Sequence, residues 1–104
     1  MTTHSLLTLL SHHIGRGNGV GVKQIAAELD IYPRQVRVLV SALRMDGHAV
    51  CGTPKDGYYI AETPEELEHT CQFLRGRAMH SLSLESKLRK IPLPDLLGQL
   101  HLPT

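Results

Sequence analysis

The chain has 104 residues, 41% of them hydrophobic, which is enough for one small domain with at most an appended element. Tryptophan is absent and only 4% of the residues are aromatic, so the expected core is small and aliphatic. The formal net charge of +1 excludes a polycation that coats nucleic acid. Any footprint on nucleic acid must come from locally clustered basic residues.

The first predicted helix covers residues 3–14, where leucines recur at helical spacing and Gly15 stops the pattern. The loop at residues 15–19 is rich in glycine but lacks the Gly-Lys-Ser/Thr ending of a phosphate-binding loop. A nucleotide site is therefore not expected there. Residues 19–22 predict a short edge strand, although isolated glycines weaken it.

Two short helices joined by a break come next. Residues 22–29 form the first, with a shared apolar face of Val22, Ile25, Ala26 and Leu29. The second covers residues 33–46, begins with Pro33 in its first turn, and has an apolar face of Val36, Leu39, Val40 and Leu43. This spacing predicts a helix-turn-helix, whose second helix reads the major groove of DNA.

The other face of residues 33–46 is rich in arginine, glutamine and serine. Arginine and glutamine can pair with the edges of guanine and adenine, and the positive charge suits phosphate. The candidate DNA-binding residues on this helix are Arg34, Gln35, Arg37, Val38, Ser41 and Arg44. Taken alone, the pattern equally fits an amphipathic helix with a solvated basic face.

A β-hairpin is predicted after Gly47, with strands at residues 48–53 and 57–62 around a turn with Asp-Gly chemistry. Alternation along the strands places Val50 and one of the two tyrosines inward. Lys55 in the turn is a candidate phosphate contact. Because Asp56 follows it, a solvated turn is nearly as good an interpretation.

The clearest local signal is the start of a long helix at Thr63. Thr63 is predicted to cap it, Pro64 to occupy its first position, and Glu66 to complete a capping box. The helix is expected to extend to about Lys90. Its candidate dimerisation residues alternate three- and four-residue spacing, as in a coiled coil: Leu67, Cys71, Leu74 and Ala78. A homodimer is favoured over packing within one chain, since two copies would read two half-sites.

Catalytic and metal-binding motifs are not found. The sequence has no nucleophile–base signature and no zinc-ligand spacing, so we predict neither an enzyme nor a metal or other cofactor. Cys51 and Cys71 are expected to be reduced, small buried residues. With no signal peptide and no apolar run that could cross a bilayer, the predicted location is the cytoplasm.

Residues 25–47, IAAELDIYPRQVRVLVSALRMDG, and residues 57–67, GYYIAETPEEL, resemble the winged-helix domains of the biotin-repressor-like class. They resemble small prophage-encoded winged-helix proteins more closely. The shared pattern is Arg34, Arg37, Leu39, Val40, Ser41, Leu43, Arg44, Asp46 and Gly47. The resemblance covers roughly residues 6–89, does not extend beyond Ile91, and implies DNA binding.

The expected fold is therefore α+β, mostly α. A winged helix-turn-helix domain at residues 1–62 precedes a dimerisation helix at 63–91 and a tail at 92–104. The predicted function is a sequence-specific dimeric transcriptional regulator of phage or prophage origin. Residues 33–46 would read the major groove of double-stranded DNA, with the wing at 53–58 on the backbone.

The same fold also fits an alternative function in which the partner is a protein and not DNA. The chain would then be a phage replication or host-interaction adaptor that contacts proteins. The near-neutral charge and the apolar residues of the tail favour this interpretation, since such a tail could dock on another protein.

Overall fold

A computed structural model describes residues 2–100 of the chain. Its elements in order are α1 (Thr3–Leu10), a 3-10 turn (Arg16–Asn18), α2 (Val22–Leu29), α3 (Pro33–Met45), β1 (Val50–Thr53), β2 (Gly57–Ile60), α4 (Pro64–Arg89) and α5 (Leu93–Gln99). This part of the chain is mostly helical with one two-stranded antiparallel sheet, which confirms the predicted α+β class. The chain divides into two compact units between Thr70 and Cys71, inside α4.

The first helix is shorter than predicted. The Thr2 hydroxyl accepts the N–H of Ser5 at 3.2 Å and caps α1. At the other end α1 stops at Leu10, and Ile14 forms a bridge with Ile60 of the hairpin. The predicted end at residue 14 is wrong because this pairing withdraws Ile14 from the helix.

The predicted break between the second and third helices is confirmed. Asp30 ends α2 in the left-handed conformation with φ of 55°, which aspartate tolerates better than most residues. The Ile31 N–H then donates to the Ala26 carbonyl at 3.0 Å, so the helix end is satisfied. Ile31 packs partly buried against the core. Three residues are thus enough to redirect the chain into α3.

The core of the first unit is aliphatic, as the composition predicted. α1 contributes Leu6 and Leu10, and α3 contributes Val36, Val40 and Leu43, each at most 2% exposed. Leu39, expected on the same face of α3, is only partly buried at the margin of the cluster. The other buried members of this core are Val20, Ile25, Ala26 and Val50.

The hairpin is joined by a third segment of chain. β1 pairs with β2 so that Val50 lies opposite Ile60 and Thr53 opposite Gly57. Val20 exchanges two backbone hydrogen bonds with Tyr58, both 2.8 Å, so the predicted edge strand is a single bridge. Val50 and Tyr59 are buried, as predicted. Burial raises the pKa of Tyr59, and the nearby Thr70 hydroxyl partly opposes this shift.

Glycine is required where the loop before α2 meets the hairpin. A Cβ atom on Gly19 would overlap the carbonyl oxygen of Asp56. Gly57 has φ of 73°, and a Cβ atom there would lie 2.9 Å from the carbonyl of Val20. Backbone therefore packs directly on backbone at this point, leaving no space for side chains.

The start of α4 differs from the predicted capping box. The Thr63 hydroxyl accepts the N–H of Glu66 at 3.2 Å, as expected. The Glu66 carboxylate, however, accepts the N–H groups of Arg16 and Glu62, both at 2.8 Å. These hydrogen bonds lower the pKa of Glu66. The carboxylate thus fastens the Arg16 loop to the beginning of α4.

The second unit contains the rest of α4 and a further short helix, α5. α4 ends at Arg89, close to the predicted end, and Lys90 follows with φ of 58°. Residues 93–99 of the predicted tail form α5, in which Leu96 and Leu97 are buried. Two apolar residues assigned to docking are thus already covered, and Leu100 is 44% exposed. The last four residues of the predicted tail lie outside the described residues.

The close approach at Gly19 predicts a large effect for a small substitution. Gly19→Ala should lower the free energy of unfolding by about 1–3 kcal/mol, since the added methyl group forces the loop and the hairpin apart. Gly17→Ala is the matched control, because a Cβ atom there has no neighbour within 4 Å. Urea denaturation of both variants measures the difference. Equal stability of the two variants would contradict the packing described.

Candidate nucleic-acid interface

The side of α3 that faces away from the core is exposed to solvent and carries four of the predicted DNA-binding residues. With Val36, Val40 and Leu43 in the core, Arg34, Arg37, Val38 and Ser41 are all exposed. The helix contains three arginines and no acidic residue from Pro33 to Met45. The structure thus brings four of the seven predicted DNA-binding residues onto one solvent-facing surface of local positive charge. We call these four residues the α3 face.

Arg34 at the beginning of the α3 face is partly oriented by an aromatic ring. Its guanidinium carbon lies 6.0 Å from the ring centroid of Tyr32, which is itself 69% exposed. Such exposed cation–π contacts contribute about 0.5–1 kcal/mol. Arg34 is therefore held near the N-terminal end of α3, whereas Arg37 takes part in no ion pair within residues 2–100.

Gln35 has a structural role in addition to its predicted role in DNA binding. Its side-chain oxygen accepts the N–H of Tyr32 at 2.7 Å, which satisfies a backbone donor at the helix start. Bidentate recognition of adenine needs the amide oxygen and the amide nitrogen together. Because the oxygen is already used for capping, the α3 face does not include Gln35.

Arg44 is directed into the fold. Its Nε donates to the carbonyl of Val50 at 2.7 Å, and its guanidinium carbon lies 5.8 Å from the ring centroid of Tyr58. Nη2 is buried and has no hydrogen-bond partner within residues 2–100. Arg44 thus joins α3 to both strands of the hairpin. The sequence held one indication of this inward orientation. Arg44 follows buried Val40 by four residues, which places it at the margin of the apolar face of α3.

The turn of the hairpin presents Lys55 to solvent. Asp56, expected to balance the charge of Lys55, forms an ion pair with Arg16, with Nε and Oδ2 2.9 Å apart. It also accepts from the Thr53 hydroxyl at 3.3 Å. Arg16 was not singled out in the sequence because its partner is 40 positions away. Lys55 is therefore next to the Asp56 carboxylate, which is already paired with Arg16.

The four candidate dimerisation residues are all exposed on α4. Leu67 is 43% and Leu74 39% exposed, and Cys71 and Ala78 are also exposed. The expectation that both cysteines are buried is wrong for Cys71, whereas Cys51 is buried under the start of α4, with its sulfur 3.8 Å from the Glu66 carbonyl. Neither cysteine forms a disulfide within residues 2–100.

Searches of protein-family models, curated proteins and solved structures found no match to this chain. Residues 2–100 contain no group of three or more His, Cys, Asp or Glu side chains arranged to hold a metal ion. Over the same residues, no helix has the length and apolar character needed to cross a membrane. The assignment of function therefore depends on the α3 face and the hairpin.

The different surroundings of the two arginines predict different effects on stability. Arg44→Ala should lower the free energy of unfolding by about 1.5–3 kcal/mol, the range for a hydrogen bond to a charged group. Arg37→Ala should change it by less than about 0.5 kcal/mol, because its side chain is exposed. Chemical denaturation measures both. A loss of equal size in the two variants would show that Arg44 does not hold the hairpin.

Proposed function

We propose that this protein is a sequence-specific DNA-binding protein with a winged helix-turn-helix domain. α3 enters the major groove, and the hairpin turn at residues 53–58 contacts the backbone. The main support for this proposal is the α3 face, where Arg34 and Arg37 project from a helix without acidic residues. Arginine is the residue most often found in specific contacts with guanine.

The order of elements supports the same proposal. Two short helices separated by residues 30–32 are followed by a two-stranded hairpin, with Val20 bridged to its second strand. This is the arrangement expected from the resemblance to winged-helix domains. Arg44 and the Arg16–Asp56 ion pair fix the hairpin in the first unit, so Lys55 is presented from an anchored turn.

A single α3 face reads few base pairs, so we propose that the protein acts as a homodimer. Cys71, Leu74 and Ala78 form an exposed stripe on α4, and Leu67 continues its spacing. A second copy packed on this stripe would bring two reading helices to one site. The proposed task, taken from the resemblance, is transcriptional regulation in a phage or prophage.

A second candidate function is that of a protein-binding adaptor in phage replication or host interaction. Three large apolar side chains at α3 are exposed: Tyr32 by 69%, Val38 by 67% and Met45 by 88%. Together with the net charge of +1, they suit a protein partner. Titration of random duplex DNA at two salt concentrations separates the candidates, since only phosphate binding weakens steeply with salt.

The DNA-binding proposal predicts different effects for Arg37→Ala and Lys55→Ala. Loss of a base contact by Arg37 should weaken the cognate site by about 1–3 kcal/mol and relax its specificity. Loss of a phosphate contact by Lys55 should weaken all sequences similarly and reduce the salt slope by about one. Fluorescence anisotropy with cognate and random duplexes measures both. Unchanged specific binding by Arg37→Ala would show that the α3 face is not the reading surface.

The dimer proposal predicts that Leu74→Glu yields monomers, because a carboxylate in the stripe would lose its hydration on association. Leu84→Glu is the matched control, since Leu84 is 53% exposed on another face of α4. Sedimentation equilibrium at micromolar concentration reports the mass of each variant. A dimeric Leu74→Glu variant, or a wild-type monomer, would refute dimerisation through this stripe.

A further inference from the structure

Val38 is the apolar member of the α3 face. Its side chain is 67% exposed, although the rest of the α3 face consists of two arginines and a serine. Valine is also a poorer helix former than alanine or lysine, so helix propensity does not account for it. The core does not account for it either, because the buried face of α3 is formed by Val36, Val40 and Leu43.

The major groove of DNA offers one apolar group among its base edges. Guanine, adenine and cytosine present only hydrogen-bond donors and acceptors there, whereas thymine adds its C5 methyl group. We infer that Val38 contacts the C5 methyl group of a thymine that lies within two base pairs of the guanine contacted by Arg34. The inference rests on the proposed DNA-binding function and names the base that α3 selects.

The spacing along α3 sets the distance between the two contacts. Arg34 and Val38 are four residues apart on the same side of the helix, which corresponds to about 6 Å along its axis. Successive bases of one strand are about 3.4 Å apart. With α3 along the groove, the two side chains therefore reach bases about two steps apart, and Ser41 follows one helical turn later.

Both side chains are suited to contact a base with little loss of conformational freedom. Valine in a helix is largely restricted to one χ1 rotamer, so Val38 presents its methyl groups in a fixed direction. Arg34 lies over the Tyr32 ring, which limits the positions of its guanidinium group. Side chains ordered before binding cost less entropy when they are immobilised in a complex.

The test begins with selection of bound duplexes from a random-sequence pool by the full-length wild-type protein. Each thymine of the selected site is then replaced in turn by uracil, which removes only the C5 methyl group. The dissociation constant of every duplex is measured for wild type, Val38→Ala and Met45→Ala. Met45→Ala is the matched control, because Met45 is an exposed apolar residue at the last position of the same helix.

At one thymine near a guanine, uracil should weaken wild-type binding about fourfold, the factor for removing one buried methyl(ene) group from contact. Val38→Ala should bind the thymine duplex more weakly by a similar factor and should not distinguish thymine from uracil. Met45→Ala should retain the wild-type discrimination. Circular dichroism should show the same helix content in all three proteins.

Two results overturn the inference while the proposed function stands. One is a selected site at which no uracil replacement weakens wild-type binding. The other is a Val38→Ala variant that discriminates thymine from uracil as strongly as wild type. If no duplex is enriched, and random DNA is not bound even at low salt, the proposed function fails and the inference fails with it.

Discussion

The orientation of α3 about its own axis is the constraint on which the candidate interface depends. Burial of one aliphatic side chain contributes about 1.5–3 kcal/mol, so Val36, Val40 and Leu43 together strongly favour one rotation of the helix. A shift by one residue would bring Arg37 toward the core, where an unpaired charge is costly. The core of the first unit therefore determines which residues are available to a partner.

The position of the hairpin depends on contacts with other segments of the chain. Val20 pairs with Tyr58, Arg44 donates to Val50, and Arg16 forms an ion pair with Asp56. Glu66 then connects the Arg16 loop to the start of α4 through backbone N–H groups. A two-stranded hairpin alone is only marginally stable in water, so these anchors give the turn a defined position. A fixed turn is what contact with a rigid duplex requires.

The sequence predicted elements whose signals are local, such as α2, α3 and the hairpin. Their periodicity, the proline at the start of α3 and the Asp-Gly turn all lie within a few residues of the structure they specify. Gln35 and Arg44 were assigned to DNA because polarity on a helix does not reveal an intrachain partner. The end of α1 and the second half of the predicted capping box were wrong for a different reason, since their partners Ile60 and Arg16 are remote in sequence. The apolar character of Leu96 and Leu97 was evident in the sequence, but the surface that covers them was not.

Binding of double-stranded DNA by the α3 face and the hairpin turn can be tested directly. The most direct measurement is a titration of the ¹⁵N-labelled protein with duplex DNA at low salt, followed by amide chemical shifts residue by residue. Binding through these surfaces should concentrate the shifts at Arg34, Arg37, Val38 and Ser41, with a second group at Lys55. An absence of shifts at saturating DNA, or shifts confined to α4 and α5, would contradict it.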